Sequence, residues 1–406
     1  MSVEKVRLPG GQPVKKTAAL WLLTLAVFAV GTAELLPMGL LLPIAGDTGV
    51  SISTAGMLVT GYALGVVFGG PVLSVMTGRM PRKTLLNLFL AVFAAGSICC
   101  TLASSYAVLL AGRIVSSLAH GILFGAIVVA AKDLAEPGKE GRSIAMVGSG
   151  LTVAVILGAP IGTFLGQQLG WRFPFLAITL LAAAALLGIA KWIPAIPRSE
   201  GVSLGKQLHS VSRPAFLMVL LITVFGNGGT FAAFTYITPI LERISGFSGS
   251  AVSVILLVFG IGSMIGNLAG GKLADKRLLP ALIGGMLLLA VSMAAFTWTS
   301  HYKAAAVVTV FVWGVAAYSI MAPLNMLVLQ KAGDAQELAS TLNISAFNLG
   351  NAIGAFIGGR VIESAPGLHA VPWAASLVTC TAIVLAVWGA IPVRRNMLGK
   401  SDLYVE

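Results

Sequence analysis

Apolar residues run through this chain in long blocks separated by short polar segments. A helix needs ~20 predominantly apolar residues to cross the ~30 Å hydrocarbon core of a bilayer. Blocks of that kind fall at 18–43, 54–77, 84–103, 107–131, 143–169, 173–193, 214–241, 250–274, 279–299, 304–330, 338–362 and 371–393. The pattern predicts an all-α membrane protein with twelve transmembrane helices. Most connections are short, so consecutive spans are expected to be antiparallel neighbours. The longest connection runs from Pro194 to Arg213 and holds Pro197, Arg198, Glu200 and Lys206. It divides the spans six and six. The expected organisation is a tail at 1–17, a six-helix bundle at 18–193, a linker at 194–213, a second bundle at 214–393 and a tail at 394–406.

Composition agrees with this reading: 57% of the 406 residues are hydrophobic and 10% charged, against about 25% charged in a soluble domain. The first apolar run, about 26 residues long, is too long for the core of a cleavable signal, and no small-residue cleavage site follows it. The net charge of +12 raises nucleic acid as a partner, and its placement removes it. With the N-terminus in the cytoplasm, 21 of the 26 Lys and Arg residues fall in cytoplasmic segments, four fall outside, and Arg113 lies within a span. Basic residues favour the cytoplasmic side, so both termini are expected there.

Residue types repeat every three spans. Glycines at i, i+4 and i+8 share a helix face and let a neighbouring backbone approach closely. Such ladders occur at Gly61/Gly65/Gly69, Gly158/Gly162/Gly166, Gly262/Gly266/Gly270 and Gly350/Gly354/Gly358, in spans 2, 5, 8 and 11. Spans 1, 4, 7 and 10 carry the polar groups: Thr32 and Glu34; Arg113, Ser116, Ser117 and His120; Asn227, Thr230, Thr235 and Tyr236; Tyr318, Ser319 and Asn325. Spans 3, 6, 9 and 12 are mostly apolar. Cavity-lining, close-packed and lipid-facing helices in a threefold repeat are the logic of secondary transporters.

Of the 14 acidic residues, Glu34 sits deep inside an apolar block. An ionised carboxylate at membrane depth is disfavoured by about 3 kcal/mol or more, so such a residue is a functional candidate. Arg113 and His120 are seven apart, two turns, on one helix face. With spans 1 and 4 both lining the cavity, the three form one polar cluster and are candidates for proton coupling. Arg113 has two readings, a partner and substrate anchor or a structural donor to backbone carbonyls. His120 has two as well, a proton relay or a neutral histidine packed against Gly121. Pro37 lacks an N–H, so the carbonyl of Ala33 loses its helical partner beside Glu34; Pro239 frees Thr235 in the same way. Thr32, Ser116, Asn227 and Asn325 are candidate substrate contacts. Phe231, Phe234, Tyr236 and Tyr318 are either substrate-facing surface or packing. Cys99, Cys100 and Cys380 lie in apolar runs without a CxxC pair, so neither a metal site nor a disulfide framework is indicated.

At this point the residues resemble a known family, the major facilitator superfamily, and within it the twelve-span drug/proton antiporters. Gly158-Ala159-Pro160-Ile161-Gly162, with Gly150 upstream, is similar to the antiporter motif of span 5. The family's loop motif, G-x-L-A-D-R-x-G-R-[RK], resembles two segments. Gly78-Arg79-Met80-Pro81-Arg82-Lys83 keeps the basic residues with Gly78 in place of Asp, and Gly271-Lys272-Leu273-Ala274-Asp275-Lys276 keeps the Asp. Arg113 matches the span-4 arginine of proton-linked members. Gly31-Thr32-Ala33-Glu34, Ala119-His120-Gly121, Phe231 to Tyr236 and Phe347-Asn348-Leu349-Gly350 resemble the arabinose-efflux-permease-like branch, which includes exporters of sugars, purine nucleosides and chloramphenicol. The resemblance implies the two-bundle major facilitator fold. It implies gating or packing roles for Gly158, Pro160, Gly162, Arg79, Arg82, Lys83 and Asp275, and export of a small molecule against protons. A monomer without cofactor or metal is expected. No nucleotide-binding motif is visible, so direct ATP drive is not. A proton-linked or facilitative importer of a sugar or nucleoside would share the bundle. A membrane enzyme would need a nucleophile and base in reach, approached only by His120 with Ser116 and Ser117.

Overall fold

The computed structural model describes residues 16–77, 80–136, 138–194, 212–333 and 336–401. Residues 1–15 of the expected tail at 1–17, Gly78, Arg79, most of the 194–213 linker and residues 402–406 of the expected tail at 394–406 lie outside the described residues. Within them the chain is all helical. The helices are α1 Lys16–Thr48, α2 Ile52–Met76, α3 Arg82–Thr101, α4 Tyr106–Leu134, α5 Glu140–Val153, α6 Ala159–Leu169 and α7 Arg172–Trp192. After the linker come α8 Pro214–Phe234, α9 Ile237–Arg243, α10 Gly249–Lys276, α11 Leu278–Thr299, α12 Lys303–Ser319, α13 Met321–Ala332, α14 Gln336–Ile362 and α15 Val371–Ser401.

Three predicted spans are interrupted, each near a proline whose missing N–H leaves a carbonyl unpaired. Span 5 is α5 and α6 joined by a π-helical turn at Ala154–Gly158, just before Pro160. Span 7 breaks between α8 and α9 at Thr235 and Tyr236, as Pro239 predicts. Span 10 breaks at Ile320, three residues before Pro323. In α1, Pro37 and Pro43 lie within a continuous helix of 33 residues.

Eleven helical stretches among the described residues are long and apolar enough to cross a membrane, counting each interrupted span once. The 27-residue α14 is a twelfth long helix that falls short in apolarity, because Asn343, Asn348 and Asn351 dilute it. The turns after odd-numbered spans gather at one end of the bundle, called here the odd end; the other is the even end. Gly49, Gly170 and Gly246 have positive φ at odd-end turns, a conformation that strains other residues.

Each glycine ladder packs on a polar helix of its own half. Gly61, Gly65 and Gly69 of α2 meet Leu110, Ser117 and Leu118 of α4, and Gly158, Gly162 and Gly166 meet Thr32, Leu36 and Leu40 of α1. In the second half, Gly262, Gly266 and Gly270 of α10 meet the backbone of Phe311, Val315 and Ser319 in α12, while Gly350, Gly354 and Gly358 of α14 meet that of Val224, Gly228 and Ala232 in α8. The pairing 2–4 and 5–1 thus returns as 8–10 and 11–7. The fit is tight: a Cβ on Gly262 would lie 2.5 Å from the Phe311 carbonyl oxygen, and one on Gly350 2.5 Å from that of Val224. Large apolar side chains are exposed on the helices of spans 6, 9 and 12, among them Leu180, Leu187, Leu287, Val291, Trp298, Val384 and Trp388.

Two apolar cores result. One draws only on residues 19–193. The other draws mainly on 216–386 and takes in Leu35, Met38, Leu41, Ala45, Ala55, Val59, Val155 and Ala159 from the first half. The halves are also tied by four hydrogen bonds between described residues. Thr238 Oγ1 donates to the Met38 carbonyl at 2.9 Å, Gln168 Nε2 to Ser250 Oγ at 3.2 Å, Thr60 Oγ1 to the Ala352 carbonyl at 3.5 Å, and Asn351 Nδ2 to Glu34 Oε1 at 3.1 Å. The first three lie toward the odd end, and the Glu34 bond is the deepest of the four.

Candidate functional site

The site starts from the carbonyl that Pro37 leaves free. Arg113, reaching from α4 and only 1% exposed, donates from Nη1 to the Ala33 carbonyl and from Nη2 to that of Glu34 at 3.4 Å. Its guanidinium lies flat over the Tyr62 ring of α2, 3.9 Å from the centroid. The Tyr62 hydroxyl meets His120 Nδ1 at 3.1 Å, and His120 packs on Phe124 at 4.9 Å between ring centroids. Arg113 makes no ion pair with the Glu34 carboxylate among the described residues; its charge acts on that carboxylate through space. Of Arg113's two readings, the structure shows the donor to carbonyls, made necessary by the proline in α1. His120 is held through Tyr62, a residue the span-2 glycines overshadow in the sequence.

The second half meets Glu34 with amides. Asn351 donates to the carboxylate, and its Oδ1 accepts from Asn227 Nδ2, which also donates to the Phe347 carbonyl at 3.0 Å. One turn earlier in α8, Thr223 donates to Asn343 Oδ1 at 3.1 Å, and Asn343 Nδ2 donates to Asn325 Oδ1 at 2.8 Å. Asn343 and Asn351 escape the sequence reading because α14 is marked there by its glycines. Their signal is positional: Asn343 lies two turns before Gly350 on the same face, so the stripe that packs on α8 begins polar and ends in glycine.

Three of the four candidate aromatics, Phe231, Phe234 and Tyr318, join one cluster. Phe234 stacks on Phe259 at 4.4 Å, both meet Trp313 edge-on, and Phe231 and Tyr318 flank them at 6.3 Å from Phe234 and Phe259. Trp313 Nε1, Thr230 Oγ1, Asn227 Oδ1 and Asn348 Oδ1 are buried beside these helices without a protein partner. The other candidates sit elsewhere. Tyr236 donates to the Ala355 carbonyl at 2.9 Å and fills the gap beside Gly56 and Gly359, where α2 meets α14. Thr32 packs on Gly158, and Ser116 bonds back to the carbonyls of its own helix at 3.0 Å. Gly158 and Gly162 seat α1 on span 5, with Pro160 buried between them. At the even end Arg82 pairs with Asp133 at 3.3 Å, an acid the loop motif does not point to; Lys83 is half-buried and Asp275 exposed, while Arg79 lies outside the described residues.

An interior that holds, among the described residues, one carboxylate, one guanidinium and a fan of amides between two halves of repeated topology suits carriage of a small solute better than bond-making chemistry. Comparison with known proteins agrees. Residues 23–344 match the profile of the Major Facilitator Superfamily, and the chain belongs to that family: it is a multi-pass membrane transporter, not an enzyme. It is 37% identical to the inner membrane transport protein YdhP of Escherichia coli (strain K12) over 91% of this chain and 95% of that one. It is 32% identical to a chloramphenicol resistance protein of Streptomyces lividans over 90% of this chain and 95% of that one. Its fold matches a crystal structure of a bacterial homologue of the human lysosomal transporter Spinster, in an inward-facing and occupied conformation. The TM-score is 0.76 at 17% identity, covering 94% of this chain and 98% of the other.

Proposed function

We propose that this protein exports a small molecule from the cytoplasm in exchange for protons, by alternating access of a cavity between two rocking six-helix bundles. In this reading the chain crosses a bacterial inner membrane twelve times with both termini inside, works as a monomer, and faces the outside with its odd end. Glu34 takes a proton while the cavity faces out, releasing the substrate. It gives the proton up while the cavity faces in, admitting the next. Arg113 acts on that carboxylate through space and His120 stands behind Tyr62 as a proton relay, while Asn227, Asn325 and the aromatic cluster offer the substrate surface.

The observation carrying this reading is the place of Glu34. It is deep in α1, within the field of the buried Arg113, and bonded to the opposite half. A buried charge is tolerated in such a place chiefly where it is used. The charges of Glu34 and Arg113 cancel when the carboxylate is ionised and leave one positive charge when it is protonated. Neither state welcomes a cation, so the cavity favours uncharged solutes with hydrogen-bonding groups and an apolar face, such as chloramphenicol, sugars or nucleosides. The chloramphenicol resistance relative supports export of that kind. One proton moving inward down ~100 mV and one pH unit yields about 3.7 kcal/mol, sustaining a gradient of roughly a few hundred-fold for a neutral solute.

The test is Glu34→Gln in everted membrane vesicles, with chloramphenicol as the probe alongside a sugar and a nucleoside. Proton-driven uptake of whichever solute the wild type accumulates should vanish in the variant. Undiminished proton-driven uptake would remove the proposal, and accumulation in intact cells would favour an importer instead.

A further inference from the structure

The Glu34 carboxylate has one hydrogen-bond donor among the described residues, and that donor belongs to the other half of the molecule: Asn351 Nδ2 at 3.1 Å. Asn351 is 4% exposed. Its orientation is set from behind. Asn227 Nδ2 donates to Asn351 Oδ1 and to the Phe347 carbonyl, so the Asn351 oxygen is engaged and its amide NH₂ is left to face Glu34. An ionised carboxylate only accepts, and an amide N–H suits it. A protonated carboxyl brings its own O–H and accepts more weakly, since a hydrogen bond to an ionised partner is roughly twice as strong. Other groups around Glu34 are Arg113 from α4, Tyr62 from α2 and Tyr318 from α12, with His120 of α4 behind Tyr62. Arg113 is held on backbone carbonyls, and Tyr62 and His120 on each other. Tyr318 is within electrostatic reach, but Asn351 alone of the second half's groups donates to the carboxylate.

We propose that Asn351 is the positioning residue through which the second half senses whether Glu34 is ionised, and that its bond to the ionised carboxylate holds the empty carrier closed at the odd end. This rests on Glu34 being the coupling carboxylate. An exchanger must not cross the membrane empty and unprotonated, or the proton gradient leaks away without work. The Glu34–Asn351 bond is a lock that two things release. A proton releases it by neutralising the carboxylate. A substrate releases it by taking up the amides of Asn351 and Asn227, whose Oδ1 is buried without a partner. Either ligand then permits the rocking step, and the absence of both forbids it, which is the logic of one-for-one exchange.

The experiment needs no substrate. Spin labels replace Leu102 and Tyr302, which are exposed in odd-end turns of opposite halves, in a background with Cys99, Cys100 and Cys380 removed. Electron–electron distance measurements on the empty full-length protein in lipid nanodiscs then give the fraction open at the odd end, in alkaline and in acidic buffer. Wild-type protein should be closed in alkaline buffer and open on acidification. Asn351→Ala should raise the alkaline open-to-closed ratio by roughly tenfold or more, the range for losing a hydrogen bond to a charged group, and flatten the pH response. Asn351→Gln, which keeps the amide, should restore closure. Asn351→Leu, close in volume, serves should the alanine variant fail to accumulate. Alkaline closure equal to wild type in the alanine or leucine variant overturns the proposal while leaving Glu34 its role. A wild-type pH response in Glu34→Gln overturns the reading of Glu34 itself.

Discussion

Arg113 stands where Pro37 leaves a carbonyl without its helical donor, and that substitution of one donor for another makes a prediction at the scale of single residues. In Pro37→Ala the helix regains the N–H that pairs with the Ala33 carbonyl, and Arg113 loses its claim on it. Arg113→Met in the native background strands that carbonyl in an apolar interior, with a loss of about 2 kcal/mol. The same change in the Pro37→Ala background should lose less, by about 1 kcal/mol. A double-mutant cycle on the thermal unfolding of the purified protein measures the difference, and strict additivity would show that the two residues are not coupled. The free carbonyl is legible in the sequence, because a proline's missing N–H needs no tertiary information. The donor that fills it is not, because Arg113 lies about 80 residues away and its reach depends on how α1 and α4 pack. Tyr62 and Asn351 were harder still. Neither stands out among its neighbours, and each gains its meaning from a partner on another helix.

At the scale of helices, the glycine ladders are the part of the fold most directly written in the chain. Period-four glycine marks a face for close approach, and the structure fills every such face with a helix of the same half. Which helix could not be told from the residues alone, since any backbone fits against glycine. The ladder glycines differ from glycines elsewhere in the helices. Gly350→Ala sets a methyl 2.5 Å from the Val224 carbonyl oxygen, whereas a methyl at Gly284 or Gly148 meets nothing within 4 Å. Overpacking of that kind loses about 1–3 kcal/mol, while alanine at an open helical site gains up to ~1 kcal/mol over glycine. Melting curves should therefore fall for Gly350→Ala and hold or rise for Gly284→Ala. The helix breaks follow the same division. The proline in span 7 announces its break, and the one in span 5 shows itself as a π turn rather than a gap because the extra residue is absorbed in a wider coil. That turn places Val155 and Ile156 against Gly260 of α10, making it a point where the halves touch.

For the whole molecule, the four cross-half hydrogen bonds lie at or on the odd side of Glu34. Joining residues 168 and 250 covalently should therefore arrest transport. Their side chains already meet at 3.2 Å, so Gln168→Cys with Ser250→Cys, in a cysteine-free background, can be bridged by a short bifunctional thiol reagent. A cleavable bridge should stop substrate flux in vesicles and its reduction should restore it; flux through the bridged protein would show that the odd end need not part. The all-helical class, the glycine repeat and the polar–apolar sorting are visible in the order of residues because each is a local or periodic property. Four of the ties that bind one half to the other are not, because they join positions 82 to 317 residues apart.

The length of α1 has a consequence outside the protein. Thirty-three helical residues extend about 50 Å at 1.5 Å per residue, well beyond a hydrocarbon layer of ~30 Å. The helix that holds Glu34 must lean or protrude, and its lean is set by its packing against α2, α5 and α7. A bilayer thinner or thicker than the bundle must therefore fit itself to this helix, at a cost of a fraction of a kcal/mol per Å of mismatch.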